Sequence, residues 1–254
     1  FTSRSQIMAA RRPQVAASPI LQNILASIAL MKQGVGDDVP IIGVVMSPFS
    51  LPVMQLGFEN YFTLMADDKP ALLHLLEANI AFCIEWANAQ LAAGATAICY
   101  FDPVSSPTIV AAEWYRAWGL PASRQAQAAI KGPIAAHLAS GRVLPLIDDL
   151  VNSGMSVVGV GALEDLREVK AACRDRISIL GNLNGIAMTR WTPAEAEIAV
   201  KKAIAQAAPC GGFILSDGHG EIPWQVSDEV LHAIVAATRR WGTYPLQAGL
   251  ADGA

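Results

Sequence analysis

Charge is scarce in this chain: of 254 residues only 16% are Asp, Glu, Lys or Arg, while 53% are hydrophobic. That balance excludes a disordered chain, because there is ample apolar surface to bury, and the length suits one large α/β domain. Lys and Arg form no basic run and the net charge is -4, so nucleic acid is not an expected partner. Long apolar runs are also missing. Glu77, Glu85 and Asn88 break even the greasiest segment, 71–93, so no stretch reaches the roughly 18 to 20 residues that cross a bilayer, and no membrane association is expected. The four cysteines, Cys83, Cys99, Cys173 and Cys210, lie far apart without a CxxC pair, which argues against a disulfide framework and fits a reducing cytoplasm. The opening "FTSRSQIMAARRP" has no long apolar core or small-residue cleavage site and reads as a short helix over 1–13.

What is present is alternation. Continuous apolar runs of strand length occur at 40–47, 96–102, 133–138, 155–161, 177–183 and 212–218, the pattern of strands buried on both faces of a parallel sheet. Helical patterns separate them at 69–93, 107–131, 143–153, 163–173, 193–207 and 227–240. Two have clear start signals: Thr192, Pro193 and Glu195 supply N-cap, N1 and N3, and Ser227 precedes two acidic residues. No strand leads into GxGxxG or GxxxxGK[ST], and polar residues gather just past the strand ends, so the expected fold is a (β/α)8 TIM barrel rather than an open doubly wound sheet. It would be a single domain over 1–254, with the barrel in 14–243 and a tail over 244–254. Six strands fall short of eight, and two units are worth on the order of 60 residues. We therefore expect a chain junction near residues 12–18, visible as a Cα separation far above about 3.8 Å.

The strand ends hold the candidate chemistry. In order they carry Ser47 to Ser50, Asp102 to Pro107, His137 to Ser140, Gly161, Asn182 to Gly185, and Asp217 to Glu221. In a barrel these converge on one mouth with two Asp, two His, two Asn and a Glu. His219, His137 and Asp102 are the candidate catalytic residues; Asn182, Asn184, Ser47, Phe49, Tyr100, Gly218, Gly220 and Trp224 are the candidate substrate contacts. Each has a plainer reading beside it. His219 could serve a glycine turn, His137 could be a satisfied core histidine, Asp102 and the two Asn could cap turns, and the aromatics could be wall. His74 and His232 lie in helical patterns and are read as ordinary. Met46, Phe49, Tyr100 and Trp224, if grouped at one rim, suit a flat apolar ring.

The order of elements resembles the uroporphyrinogen decarboxylase superfamily over nearly the whole chain. "TSRSQIMAARRP", "VVMSPFSLPVMQLG", "GATAICYFDP", "ILGNLNG" and "GGFILSDGHGEIP" are similar to its opening helix, first loop, Gly-Ala-Asp strand, Gly-Asn-Leu turn and last glycine turn. The resemblance implies either a cobamide-dependent methyltransferase or a porphyrinogen decarboxylase. The methyltransferases use His-x-Cys and a later Cys to hold zinc, which activates a thiol acceptor toward a methyl-corrinoid. Here Ala139 and His219 stand at the Cys positions, so any zinc would need the replacement set His137, His219 and Glu221. "FDP" is the methyltransferase form. The decarboxylase signature rich in arginine is not visible, and the strand ends contribute only Arg142 toward a substrate with eight carboxylates. The expected activity is methyl transfer from a corrinoid, which a corrinoid protein could carry, to a small acceptor. Decarboxylation without a cofactor, with Asp102 central, is the alternative, and a barrel that binds a tetrapyrrole without chemistry is the third reading. The sequence does not set the oligomeric state; a homodimer is among the states open to it.

Overall fold

The computed structural model describes residues 3–247 and Leu250; Phe1, Thr2 and most of the expected tail lie outside the described residues. It divides into two units, 1–137 with 152–155, and 138–151 with 156–254. All six expected strands form, and within each unit they pair in parallel.

In the first unit, α1 (Arg4–Ala9) starts at Ser3, whose hydroxyl accepts from Gln6 N, and α2 (Pro19–Val35) starts at Ser18. Residues 12–18 between them hold a 3-10 turn at Val15–Ala17, with Ser18 N bonded back to Val15 O. Strands β1 (Ile42–Met46), β2 (Ala97–Phe101) and β3 (Ile134–His137) pair in that order. Helices α3 (Leu51–Leu56), α4 (Phe58–Asp67) and α5 (Lys69–Ala93) fill the first crossover. The length of α5 follows from its ends: Asp68 caps Ala71 N, Pro70 sits in the first turn, and Gly94 closes it at φ 116°, a left-handed conformation that suits glycine. Its buried Leu72, Leu75, Leu76 and Ile80 repeat at helical spacing, and the three leucines join Phe49, Tyr61 and Val104 in one core. Gln90 of α5 also serves β1: its amide accepts from Val44 N (3.1 Å) and donates to Val44 O (3.0 Å), supplying the two bonds a further strand would make.

The helix expected over 107–131 is shorter and interrupted. It consists of α6 (Ala112–Trp114), a π-helical stretch Tyr115–Gly119, and α7 (Leu120–Ala129). Pro121 accounts for the interruption, since it lacks an N–H and its ring crowds the preceding turn.

In the second unit, β4 (Val157–Gly159), β5 (Ser178–Leu183) and β6 (Phe213–Asp217) pair in parallel, with Ile179 opposite Phe213 and Leu183 opposite Asp217. A 3-10 turn at Leu144–Leu146 leads into α8 (Ile147–Val151), and α9 (Leu166–Cys173), α10 (Gly185–Met188), α11 (Pro193–Ala207) and α12 (Asp228–Trp241) follow. Thr192 and Glu195 form the expected capping box of α11, and Ser227 caps α12. Among the described residues no helix is long and apolar enough to cross a membrane.

Candidate active site at the strand ends

The first unit carries a sealed carboxyl. Asp102 ends β2 and is 3% exposed. Its Oδ1 accepts from Ser47 Oγ (2.5 Å) and Ser50 Oγ (2.6 Å), and its Oδ2 from Ser105 Oγ (2.5 Å). The serines are tied in turn: Ser47 Oγ accepts from Ser50 N and Ser50 Oγ from Val104 N. Burial raises the Asp102 pKa above the usual carboxylate value, and the hydrogen bonds from Ser105, Ser47 and Ser50 oppose that rise. The cluster therefore clamps the loop after β1 to the turn after β2. The Cys83 thiol is pushed up to about 12 by burial and by Asp102, which makes it a poor nucleophile.

Phe49 and Tyr100 belong to this core. Both are fully buried; the Tyr61 hydroxyl donates to Phe49 O (2.7 Å), and Tyr100 shares a hydrogen bond with Ser123 Oγ (3.1 Å). They are wall rather than an open rim, because their polar groups are satisfied inside the unit. His137, also buried, sets its ring 5.8 Å from that of Phe101, and its carbonyl accepts from Asp102 N (2.8 Å).

The second unit holds an open imidazole. Asp217 Oδ2 accepts from the backbone N–H of His219 (2.9 Å) and Gly220 (2.6 Å), folding the turn after β6 around one carboxylate. Gly218 N donates to Leu183 O, and a Cβ at Gly218 would lie 2.6 Å from Ala162 N, so only glycine lets these segments meet. Gly220 sits at φ 90°. This geometry directs the His219 ring to Ser140, whose Oγ is hydrogen-bonded to Nδ1. Ala139 reaches that position with φ 52°, an uncommon conformation for a residue with a Cβ. His219 Nε2 has no partner among the described residues.

A cavity of about 190 Å³ opens beside the pair, floored by Ala162, Gly185 and Gly218 and edged by Leu163 and Ile186. Leu163 is 83% exposed, Ile186 70% and Trp224 97%. Asn184 also lines the cavity, while its Oδ1 caps Ala187 N. Asn182 instead braces a loop, donating to Glu164 O (2.9 Å) and Gly161 O (3.2 Å). Buried Glu164 accepts from Val143 N and Leu144 N, both at 2.8 Å, and fixes the turn that follows Ser140.

The expected zinc set of His137, His219 and Glu221 is not gathered. Among the described residues no group of three or more His, Cys, Asp or Glu stands close enough to hold a metal ion. His219 keeps Nε2 open while Nδ1 is engaged by Ser140, and His137 sets its ring against Phe101, but a set of three ligands is not assembled around either imidazole among the described residues. Zinc therefore does not fit these residues as they stand. Ser50, Ser105, Ser140 and Asp217 were not among the candidates, although a buried Asp with no neighbouring cation in sequence needs hydroxyl donors, and "SPFS" and "DPVSS" offered them.

The uroporphyrinogen decarboxylase family model matches residues 1–241. A methylcobamide:CoM methyltransferase, MtaA of Methanosarcina barkeri, is 26% identical over 89% of this chain and 71% of its own length. A uroporphyrinogen decarboxylase of Chlorobaculum parvum is 28% identical over 79% of this chain and 60% of its own. A solved methyltransferase from Methanosarcina mazei superposes with TM-score 0.79 at 21% identity, covering 92% of this chain and 71% of that one. That likeness shows the shared TIM-barrel fold, of which six strands are present among the described residues. The chain belongs to the uroporphyrinogen decarboxylase family.

Proposed function

We propose that this chain transfers a methyl group between a methyl-corrinoid and a small acceptor such as a thiol. The observation that carries the reading is the His219 cavity, a lone imidazole among small residues under the exposed apolar side chains of Leu163 and Ile186. Such a rim suits the face of a corrin ring, which a corrinoid protein would deliver as substrate, and the cavity suits the acceptor. The similarity to MtaA over 89% of the chain supports the same reading. Decarboxylation of a substrate with eight carboxylates fits less well, because the loops that directly follow the six strands contain one cation in sequence, Arg142.

In this reading the acceptor sulfur, as thiolate, forms a bond to the methyl carbon while the cobalt–carbon bond breaks and leaves its electron pair on cobalt. The thiol proton goes to solvent. His219 Nε2 orients the acceptor by a hydrogen bond, Ser140 fixes the ring, and Asp217 fixes the turn. Asn182 and Asp102 act one step back, by holding the loops. The test is turnover of methylcobalamin with a small thiol. Thioether formation that falls at least about 10-fold in His219→Ala supports the reading; turnover of uroporphyrinogen instead, or binding of the corrinoid without turnover, sinks it.

A further inference from the structure

We infer that the molecule taken into the His219 cavity is small and uncharged, with one hydrogen-bonding head and a short apolar body. The inference rests on the methyl-transfer reading for its role as acceptor, but the selectivity follows from the walls alone. At about 190 Å³ the space corresponds to some six waters at about 30 Å³ each, below the roughly 300–1,000 Å³ of drug-sized sites. Two glycines of its floor leave no room for a larger residue, since a Cβ on Gly218 meets Ala162 N at 2.6 Å and one on Gly185 meets Glu221 O at 3.3 Å.

Charge sets the class. No Lys or Arg lines the cavity among the described residues. A carboxylate or sulfonate tail would find no fixed opposite charge here, which disfavours it relative to a neutral head of the same shape. A neutral head finds what it needs. His219 Nε2 is unengaged, and Asn184 uses its Oδ1 on Ala187 N while its amide N–H groups have no partner among the described residues. Leu163 and Ile186 then cover an apolar body.

Two isosteric thiols, 3-mercaptopropanamide and 3-mercaptopropanoate, differ only in charge and make the test. With methylcobalamin as donor, kcat/KM for the amide should exceed that for the carboxylate by at least about 10-fold, and calorimetry of the two S-methyl products should show the same order. Leu163→Arg, at an exposed position, should reduce or reverse the preference. Equal or better use of the carboxylate by wild type overturns the assignment, as does an unchanged preference in Leu163→Arg. Methyl transfer to neither thiol, with amide-selective binding intact, overturns the methyl-transfer reading and leaves the selectivity standing.

Discussion

Replacing Asp102 tests the clamp in the first unit. Asp102→Ala strands three hydroxyl donors, those of Ser47, Ser50 and Ser105, all at most 1% exposed. At about 1 to 1.5 kcal/mol for each buried donor left without its acceptor, the loss should be about 3 to 4.5 kcal/mol. Asp102→Asn keeps an oxygen for Ser47 and Ser50 and lets Ser105 accept from the new amide, so it should cost only about 1 kcal/mol. Urea denaturation at fixed pH reads both values. The pH dependence has a definite sign. Burial raises the carboxyl pKa in the folded state, so the native protein binds that proton more tightly than the unfolded chain. Stability from this group is fully present below the ordinary carboxylate range and is lost as pH rises through the raised one. Relative to Asp102→Asn, the wild type should lose stability as pH rises above about 4. An Asp102→Ala cost under about 1 kcal/mol, or an Asn variant as unstable as the Ala variant, would refute the clamp.

Three further outcomes are expected. Gly218→Ala places a methyl 2.6 Å from Ala162 N; it should cost about 1 to 3 kcal/mol in urea denaturation and reduce ligand binding at His219. Gln90→Leu removes both amide bonds to Val44, so hydrogen exchange at the Val44 amide should accelerate and stability fall by about 2 kcal/mol; unchanged exchange would contradict the edge role of Gln90. Thr192→Ala breaks the capping box of α11 and should cost about 1 kcal/mol, read as a lowered thermal midpoint.

The fold was legible because burial on both faces leaves a continuous apolar signature, so "TAICYFD" and "ISILGNL" announced β2 and β5 with their ends within two residues. Helix starts were legible where caps were local, as at Thr192 and Ser227. The π-helical stretch at Tyr115–Gly119 was not, since Pro121 signals a disturbance without saying how the backbone absorbs it. At the site, the sequence located the strand ends but not their partners. His219 meets Ser140 from 79 positions away, and Asp102 meets Ser47 and Ser50 from more than 50 away; no local pattern encodes such pairings. The resemblance to a zinc-binding branch pointed toward a ligand set, whereas the neighbours of His219 and His137 are hydroxyl and aromatic groups.

The most direct measurement is a single incubation of the purified chain with methylcobalamin, a small neutral thiol and, in a parallel sample, uroporphyrinogen. The expected result is loss of the methyl–cobalt absorption with matching thioether formation, reduced in His219→Ala, and no release of carbon dioxide from the porphyrinogen. Carbon dioxide release from the porphyrinogen, with the methyl–cobalt absorption unchanged, would contradict it.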